Sequence, residues 1–182
     1  MKSLSTLKRM TAMLLTALSL LPGIGRQMAM GQQPEARMAT FTSQLGRFTV
    51  LLPGQPAYKS SPVSTKAGVL TLHSYTAETR GGDYSYTIMF NDYPAAPTNI
   101  KSFFDRVRDG AAEGKRLVKE VELDLNGYHG RGMVIEDQKF RFIVADYLVG
   151  ARLYQLIFAM PADEEVPATV GQFFKSFGFI RA

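Results

Sequence analysis

The segment from Phe140 to Ala182 constrains the fold more than any other part of the chain. Phe140 to Val149 and Arg152 to Met160 are rich in β-branched and aromatic residues, and Gly150-Ala151 between them predicts a type II′ turn, which takes glycine first. The first of these strands is apolar on both of its alternating faces, which indicates that the pair lies centrally in a sheet covered on both sides.

The chain after this hairpin predicts a helix and a closing strand. The helix runs from about Pro167 to Lys175, with an acidic run at its start that would complement the helix dipole, and the last strand covers Ser176 to Ile180. The acidic residues are Asp163, Glu164 and Glu165.

The first half of the chain alternates strands with turn residues. Strands are predicted at Phe48 to Leu52, in a hairpin turning at Lys66-Ala-Gly68, and at Tyr84 to Tyr93 after the turn Arg80-Gly-Gly-Asp83. Pro94 then ends the strand pattern.

A change of period predicts a helix after residue 97. Its apolar stripe follows helical spacing, with Thr98 as the N-cap and Gly114 as the stop. The stripe consists of Ile100, Phe103, Phe104, Val107 and Ala111.

A meander follows, and its first strand is predicted to be half-exposed. Leu117, Val121, Leu123 and Leu125 would face one way, and Glu120, Glu122 and Asp124 would form a solvated face. Asn126-Gly127 predicts a type I′ hairpin. The resulting class is α+β, a largely antiparallel sheet flanked by two helices.

The N-terminus predicts export. Lys2, Lys8 and Arg9 precede an uncharged, mostly apolar run of about a dozen residues that is too short to span a bilayer, as in a secretory signal peptide. An uncleaved anchor or an amphipathic helix is the alternative. Small residues before position 32 place cleavage after Gly31, which predicts a signal peptide at 1–31, a flexible segment at 32–40 and one domain at 41–182.

The predicted compartment and the charge balance limit the classes of partner that we expect. The expected location is periplasmic or extracellular, and because cysteine is absent, stability there must come from packing without disulfides. The net charge of +5 falls to +1 when the four basic residues of residues 1–31 are removed from the 21 of the chain, leaving 17 against 16 acids. We therefore expect neither nucleic-acid binding nor, after cleavage, stable membrane insertion.

No recognisable reaction chemistry appears in the sequence. His73 and His129 are isolated from other metal-ligating residues, and Gly110 to Arg116 departs from a phosphate-binding loop in spacing and in the residue after its lysine. We expect no catalytic residues, no metal and no cofactor, although a hydrolase site assembled only by folding stays an alternative.

A few polar residues are candidates for binding a ligand or partner. Asn91-Asp-Tyr-Pro94 ends a strand with Asp92 and Tyr93 at the edge of the sheet, and arginines on three successive strands could line up across it. These arginines are Arg131, Arg141 and Arg152. Their guanidinium groups suit a small anion or peptide, and ion pairing at the sheet edge is the alternative.

Five sequence stretches together carry a resemblance. The chain resembles small secreted bacterial proteins of unknown function and, more distantly, PsbP-like domains such as the photosystem II extrinsic protein and bacterial DcrB-type periplasmic proteins. The stretches are Phe41-Thr-Ser-x-x-Gly46-Arg-Phe-x-Val50-x-x-Pro53-Gly-x-Pro56, Asn91-Asp-Tyr-Pro94, Asn126-Gly-Tyr-His-Gly130, Tyr147-Leu-Val-Gly-x-Arg152-Leu-Tyr-Gln-Leu156 and Ser176-Phe177.

The resemblance implies an α/β/α sandwich that binds a partner or stabilises an assembly without catalysis. Its pattern contains no catalytic residues to transfer. The chain lacks the lipoprotein cysteine of DcrB-type members and any photosystem-specific signature, so that role is not carried over. The leading expectation is an exported non-enzymatic protein that binds an unknown protein or envelope component, and the alternative is a small anionic-ligand carrier.

Overall fold

The computed structural model describes residues 37–65 and 68–180, which form two antiparallel sheets and two α-helices. The predicted signal peptide and its cleavage after Gly31 lie outside the described residues. The strands are β1 Ala39–Ser43, β2 Phe48–Leu52, β3 Ala57–Thr65, β4 Gly68–Thr79, β5 Tyr84–Asp92, β6 Arg116–Leu125, β7 Tyr128–Glu136, β8 Phe140–Val149, β9 Arg152–Pro161 and β10 Gly178–Phe179. The helices are α1 Ile100–Ala111 and α2 Ala168–Ser176.

Seven strands form the large sheet in the order β3-β4-β5-β9-β8-β7-β6, and β1-β2-β10 form the small one. The hairpin of β8 and β9 therefore lies centrally, as the apolar pattern predicted, and its register runs from Phe140 opposite Pro161 to Val149 opposite Arg152. Both hairpin turns have the expected backbone, with φ of +57° at Asn126, +84° at Gly127 and +60° at Gly150.

The two faces of the large sheet have different covers. The inner face, which includes Tyr86, Leu156 and Phe158, packs against β2 and α2 in one apolar cluster. The outer face, which includes Phe142 and Leu153, packs against α1. Cover on both faces is confirmed, but the inner layer is a sheet with a helix, so the fold is richer in strands than the expected α/β/α sandwich.

Helix α1 and strand β6 each differ from the sequence prediction in one local feature. The side chain of Asn99, not the predicted Thr98, caps α1 by accepting a hydrogen bond from the Ser102 amide at 2.9 Å. A β-bulge between Leu117 and Lys119 turns Leu117 to the outer face. The prediction that Leu117 and Val121 share a face is therefore wrong.

The ends of the folded region also differ from expectation. Strand β1 begins at Ala39, within the segment predicted to be flexible, and β10 is shorter than the predicted strand from Ser176 to Ile180. The first turn of α2 contains no acidic residue, because the acidic run lies in the loop before it. No helix in the described part of the chain is long and apolar enough to cross a bilayer.

Candidate functional site

The structure does not bring the three candidate arginines together. Arg131 on β7 lies on the outer face beside α1, whereas Arg141 and Arg152 lie on the inner face at opposite ends of the hairpin of β8 and β9. Each guanidinium group has carboxylate partners of its own. A single site made from the three is therefore not formed.

Arg152 and Asp92 form a bidentate pair that holds the turn between β1 and β2. Nε and Nη2 of Arg152 donate to the two carboxylate oxygens of Asp92 at 2.6 and 2.7 Å, and Nη1 donates to the carbonyl oxygen of Leu45 at 3.2 Å. The guanidinium also lies 4.9 Å from the ring centre of Phe90. These hydrogen bonds lower the pKa of Asp92.

Three of the stretches that carry the family resemblance meet at this turn. The hydroxyl of Tyr154 donates to the carbonyl oxygen of Gly46 at 2.8 Å, and Gly46 has no room for a side chain, because a Cβ there would lie 2.4 Å from the ring of Phe48. The half-buried Tyr93 continues the same region, since its amide donates to the Ala151 carbonyl at 2.8 Å. The resemblance at these positions reflects packing and turn geometry.

Arg131 ties α1 to the sheet. Its side chain is 8% exposed, and Nη1 donates to Asp105 of α1 and to Glu120 of β6, each at 2.8 Å. The hydrogen bond from Arg131, followed by one from Lys101 at 3.0 Å, lowers the pKa of Asp105 to about 2. Glu120 is therefore an ion-pair partner and not simply part of the solvated face that the sequence predicted.

Arg141 belongs to a chain of ionic contacts at one end of the large sheet. It donates to the carboxylate of Glu136 at 2.7 Å and to the backbone carbonyl of Glu164 at 3.1 Å. The side chain of Glu164 accepts from Tyr84 at 2.6 Å and from Arg80. Glu164 thus anchors the loop before α2.

An open groove of about 750 Å³ lies beside this end of the sheet. Lys115, Arg116 and Lys139 line it together with Glu136 and Asp137, so its charges nearly balance. None of the three candidate arginines lines the groove. Of its three cations, Arg116 is already paired with the carboxylate of Glu136.

Asp146 is a buried acid that the sequence analysis did not single out. It is 0% exposed on the outer face of β8, its Oδ1 accepts from the Gln155 amide at 3.2 Å, and its Oδ2 has no hydrogen-bond partner. Burial raises its pKa from 3.8 to about 7. An acid within the strand that is apolar on both faces was the sequence signal for this site.

The histidines and acids of the described residues do not form a metal centre. No group of three or more ligating side chains occurs within residues 37–65 and 68–180. His73 is half-buried, with its Nδ1 at 2.8 Å from the hydroxyl of Tyr58 and its ring stacked 4.7 Å from that of Phe90.

An aromatic surface lies exposed beside β1. Tyr58 of β3 is 47% exposed, and its ring centre lies 5.0 Å from that of Tyr75 on β4, which in turn contacts Phe41 of β1 at 5.0 Å. The large sheet thus extends past β1 by one strand. We call this step, formed by the inner-face side chains Tyr58, Ser60, His73 and Tyr75, the ledge.

Comparisons with known proteins identify the fold. No family model matches the chain, and no curated protein matches it. A protein of unknown function from Pseudomonas aeruginosa aligns with a TM-score of 0.36 at 9% identity, over 69% of this chain and 83% of that one. Cyanobacterial PsbP (CyanoP) from Synechocystis sp. PCC 6803 aligns with a TM-score of 0.54 at 11% identity, over 86% of this chain and 98% of that one. The described domain therefore has a PsbP-like fold.

Proposed function

We propose that the chain is an exported, non-enzymatic protein that binds a protein partner in the cell envelope through the ledge. The observation that carries the proposal is the exposed aromatic surface of Tyr58 beside the edge of β1. Tyrosine is enriched where proteins bind one another, because its ring buries a large apolar area while its hydroxyl keeps a polar partner. The predicted signal peptide supports export.

The ion pairs of the three arginines support the same proposal, because they leave these side chains with a structural role. Arg131, Arg141 and Arg152 each hold elements of the fold together through carboxylates, which accounts for them without a ligand. By contrast, Tyr58 stays 47% exposed although its hydroxyl lies 2.8 Å from Nδ1 of His73, a neighbour within the ledge. The ledge is the described surface best suited to a partner.

A photo-crosslinking amino acid placed at Ser60 tests the proposal in the native envelope. We expect one predominant adduct with an envelope protein, and loss of binding to that purified protein when Tyr58→Ser is introduced. A crosslinker at the exposed Gln138, at the groove, is the matched control and should not give this adduct. Equal adducts from both positions, or binding unchanged in Tyr58→Ser, would contradict the proposal.

The open groove beside Arg116 supports a second candidate function, the carriage of a small anion. Lys115, Arg116 and Lys139 line it, although Glu136 and Asp137 compensate much of their charge. Calorimetric titration with phosphate and with citrate tests it. Micromolar binding that Lys139→Gln weakens would favour this function over the first.

A further inference from the structure

Strand β1 has an open edge with a defined set of hydrogen-bonding groups. Among the described strands, only β2 pairs with it, and Thr40 lies opposite Leu51. The Leu51 amide donates to the Ser176 hydroxyl at 2.8 Å and so points away from β1. In an antiparallel ladder, opposite residues both turn toward or both turn away from each other, so the backbone groups of Thr40 point to the open edge.

Thr42 has the same orientation, because backbone direction repeats every second residue. Its opposite residue, Thr49, pairs on its other side with Gly178 of β10. Thr40 and Thr42 therefore present two amide groups and two carbonyl groups to the open edge. An added extended chain could satisfy all four.

The β1 edge lacks the features that usually prevent strand addition. The edge strands of the large sheet are protected: β3 contains Lys59 and Pro62, and β6 is mostly charged on one face. By contrast, Ala39 to Ser43 contains no charged residue and no proline. Of these three edges in the described part of the chain, that of β1 is the one without such protection.

The ledge determines what can occupy this edge. Because β1 contacts Tyr75 of β4, the strand beyond it, β3, lies beneath the position that an added strand would take. That position is one strand wide, about 4.8 Å. A second copy paired antiparallel through its own β1 would bring its own β4, which lies beneath that strand, into the space that β3 already fills. The ledge therefore excludes this dimer and admits a single extended segment.

We propose, building on the proposed function, that the ledge binds an extended, uncharged peptide segment of its partner as a fourth strand of the small sheet. The peptide backbone pairs with Thr40 and Thr42. Its alternate side chains are apolar or aromatic and cover Tyr58 and Tyr75, while the others face solvent beside the two threonines. This is recognition by strand addition, in which the backbone supplies affinity and the alternating pockets supply specificity.

A displayed library of random 12-residue peptides is the probe, screened against the chain from residue 32 onward. We expect selected peptides with alternating apolar residues. In ¹⁵N-labelled protein, their binding should slow the hydrogen exchange of the Thr40 and Thr42 amides. Thr42→Pro removes one outward amide and should weaken binding about tenfold, the effect of one hydrogen bond. Thr42→Val keeps that amide and should bind within about twofold of the original.

The remaining outcomes each overturn the strand-addition proposal. Failure to select any binder, or binders that leave exchange at Thr40 and Thr42 unchanged, would do so without using any variant. Binders lost in Tyr58→Ser but retained in Thr42→Pro would leave the proposed function standing and reject its mode. Exchange already slow in a dimer would assign the edge to a second copy. Exchange at Thr40 and Thr42 that is slow in the protein beginning at residue 32 but fast in one beginning at residue 37 would assign the edge to the N-terminal segment of the chain.

Discussion

Replacing Asp146 with asparagine should change how stability depends on pH. The folded-state pKa of Asp146 is about 7, against 3.8 for an ordinary aspartate, so the folded protein holds this proton more tightly than the unfolded chain does. The stabilisation from that proton is fully present below pH 3.8 and is lost as pH rises through 7. A difference of about 3 pKa units corresponds to roughly 4 kcal/mol.

Between pH 5 and pH 8 the original protein should lose roughly 2 to 3 kcal/mol relative to Asp146→Asn, because part of the loss occurs below pH 5. Urea unfolding at pH 5, 6, 7 and 8, followed by far-UV circular dichroism, measures this difference. The titrations of all other groups cancel when the two proteins are compared at each pH.

Asp163→Asn, at an exposed aspartate in the loop before α2, is the matched substitution control. A constant difference between the original protein and Asp146→Asn from pH 5 to pH 8 would refute the reasoning. It would mean that Asp146 is ionised throughout, with the nearby Arg131 charge outweighing burial.

Three further predictions concern contacts described above. Arg152→Lys should cost about 1 to 2 kcal/mol in urea unfolding, because lysine cannot make the bidentate pair with Asp92, and a loss below about 0.3 kcal/mol would contradict this. The lowered pKa of Asp105 means that the stabilisation from its carboxylate is present above the unfolded pKa and lost as pH falls toward 2. The free energy of unfolding should therefore fall less steeply between pH 4 and pH 2 in Asp105→Asn than in the original protein. Gly46→Ala should destabilise by about 2 kcal/mol or more through overlap with neighbouring rings, whereas Gly171→Ala in α2, with open space around it, should stabilise by about 0.5 to 1 kcal/mol, and equal effects at the two glycines would be inconsistent with the packing.

Local patterns predicted the large sheet well because its turns depend on neighbouring residues. Asn126-Gly127 and Gly150-Ala151 determine their hairpins through backbone preferences that need no distant partner. The apolar faces of β8 also place this strand centrally without reference to the rest of the chain. These elements are confirmed as predicted.

The errors arose where distant contacts or small irregularities decide the outcome. The β-bulge that turns Leu117 outward leaves no clear mark in the alternation of residues 117–125. The division into two sheets depends on β2 pairing with β10, more than 120 residues later. The same holds for the candidate site. Tyr58 is exposed because the small sheet ends at β1, above β4, and leaves β3 uncovered, and the sequence does not show this.

The small sheet has a consequence for the order in which the protein folds. Its central strand, β2, pairs with β1 at the beginning of the described domain and with β10 at its end, and the ring of Phe48 packs against Phe177. Contacts between such distant residues form slowly, because a long loop must close before they contribute. The inner layer can therefore be completed only after nearly the whole chain has been synthesised, and until then the apolar inner face of the large sheet stays accessible to chaperones.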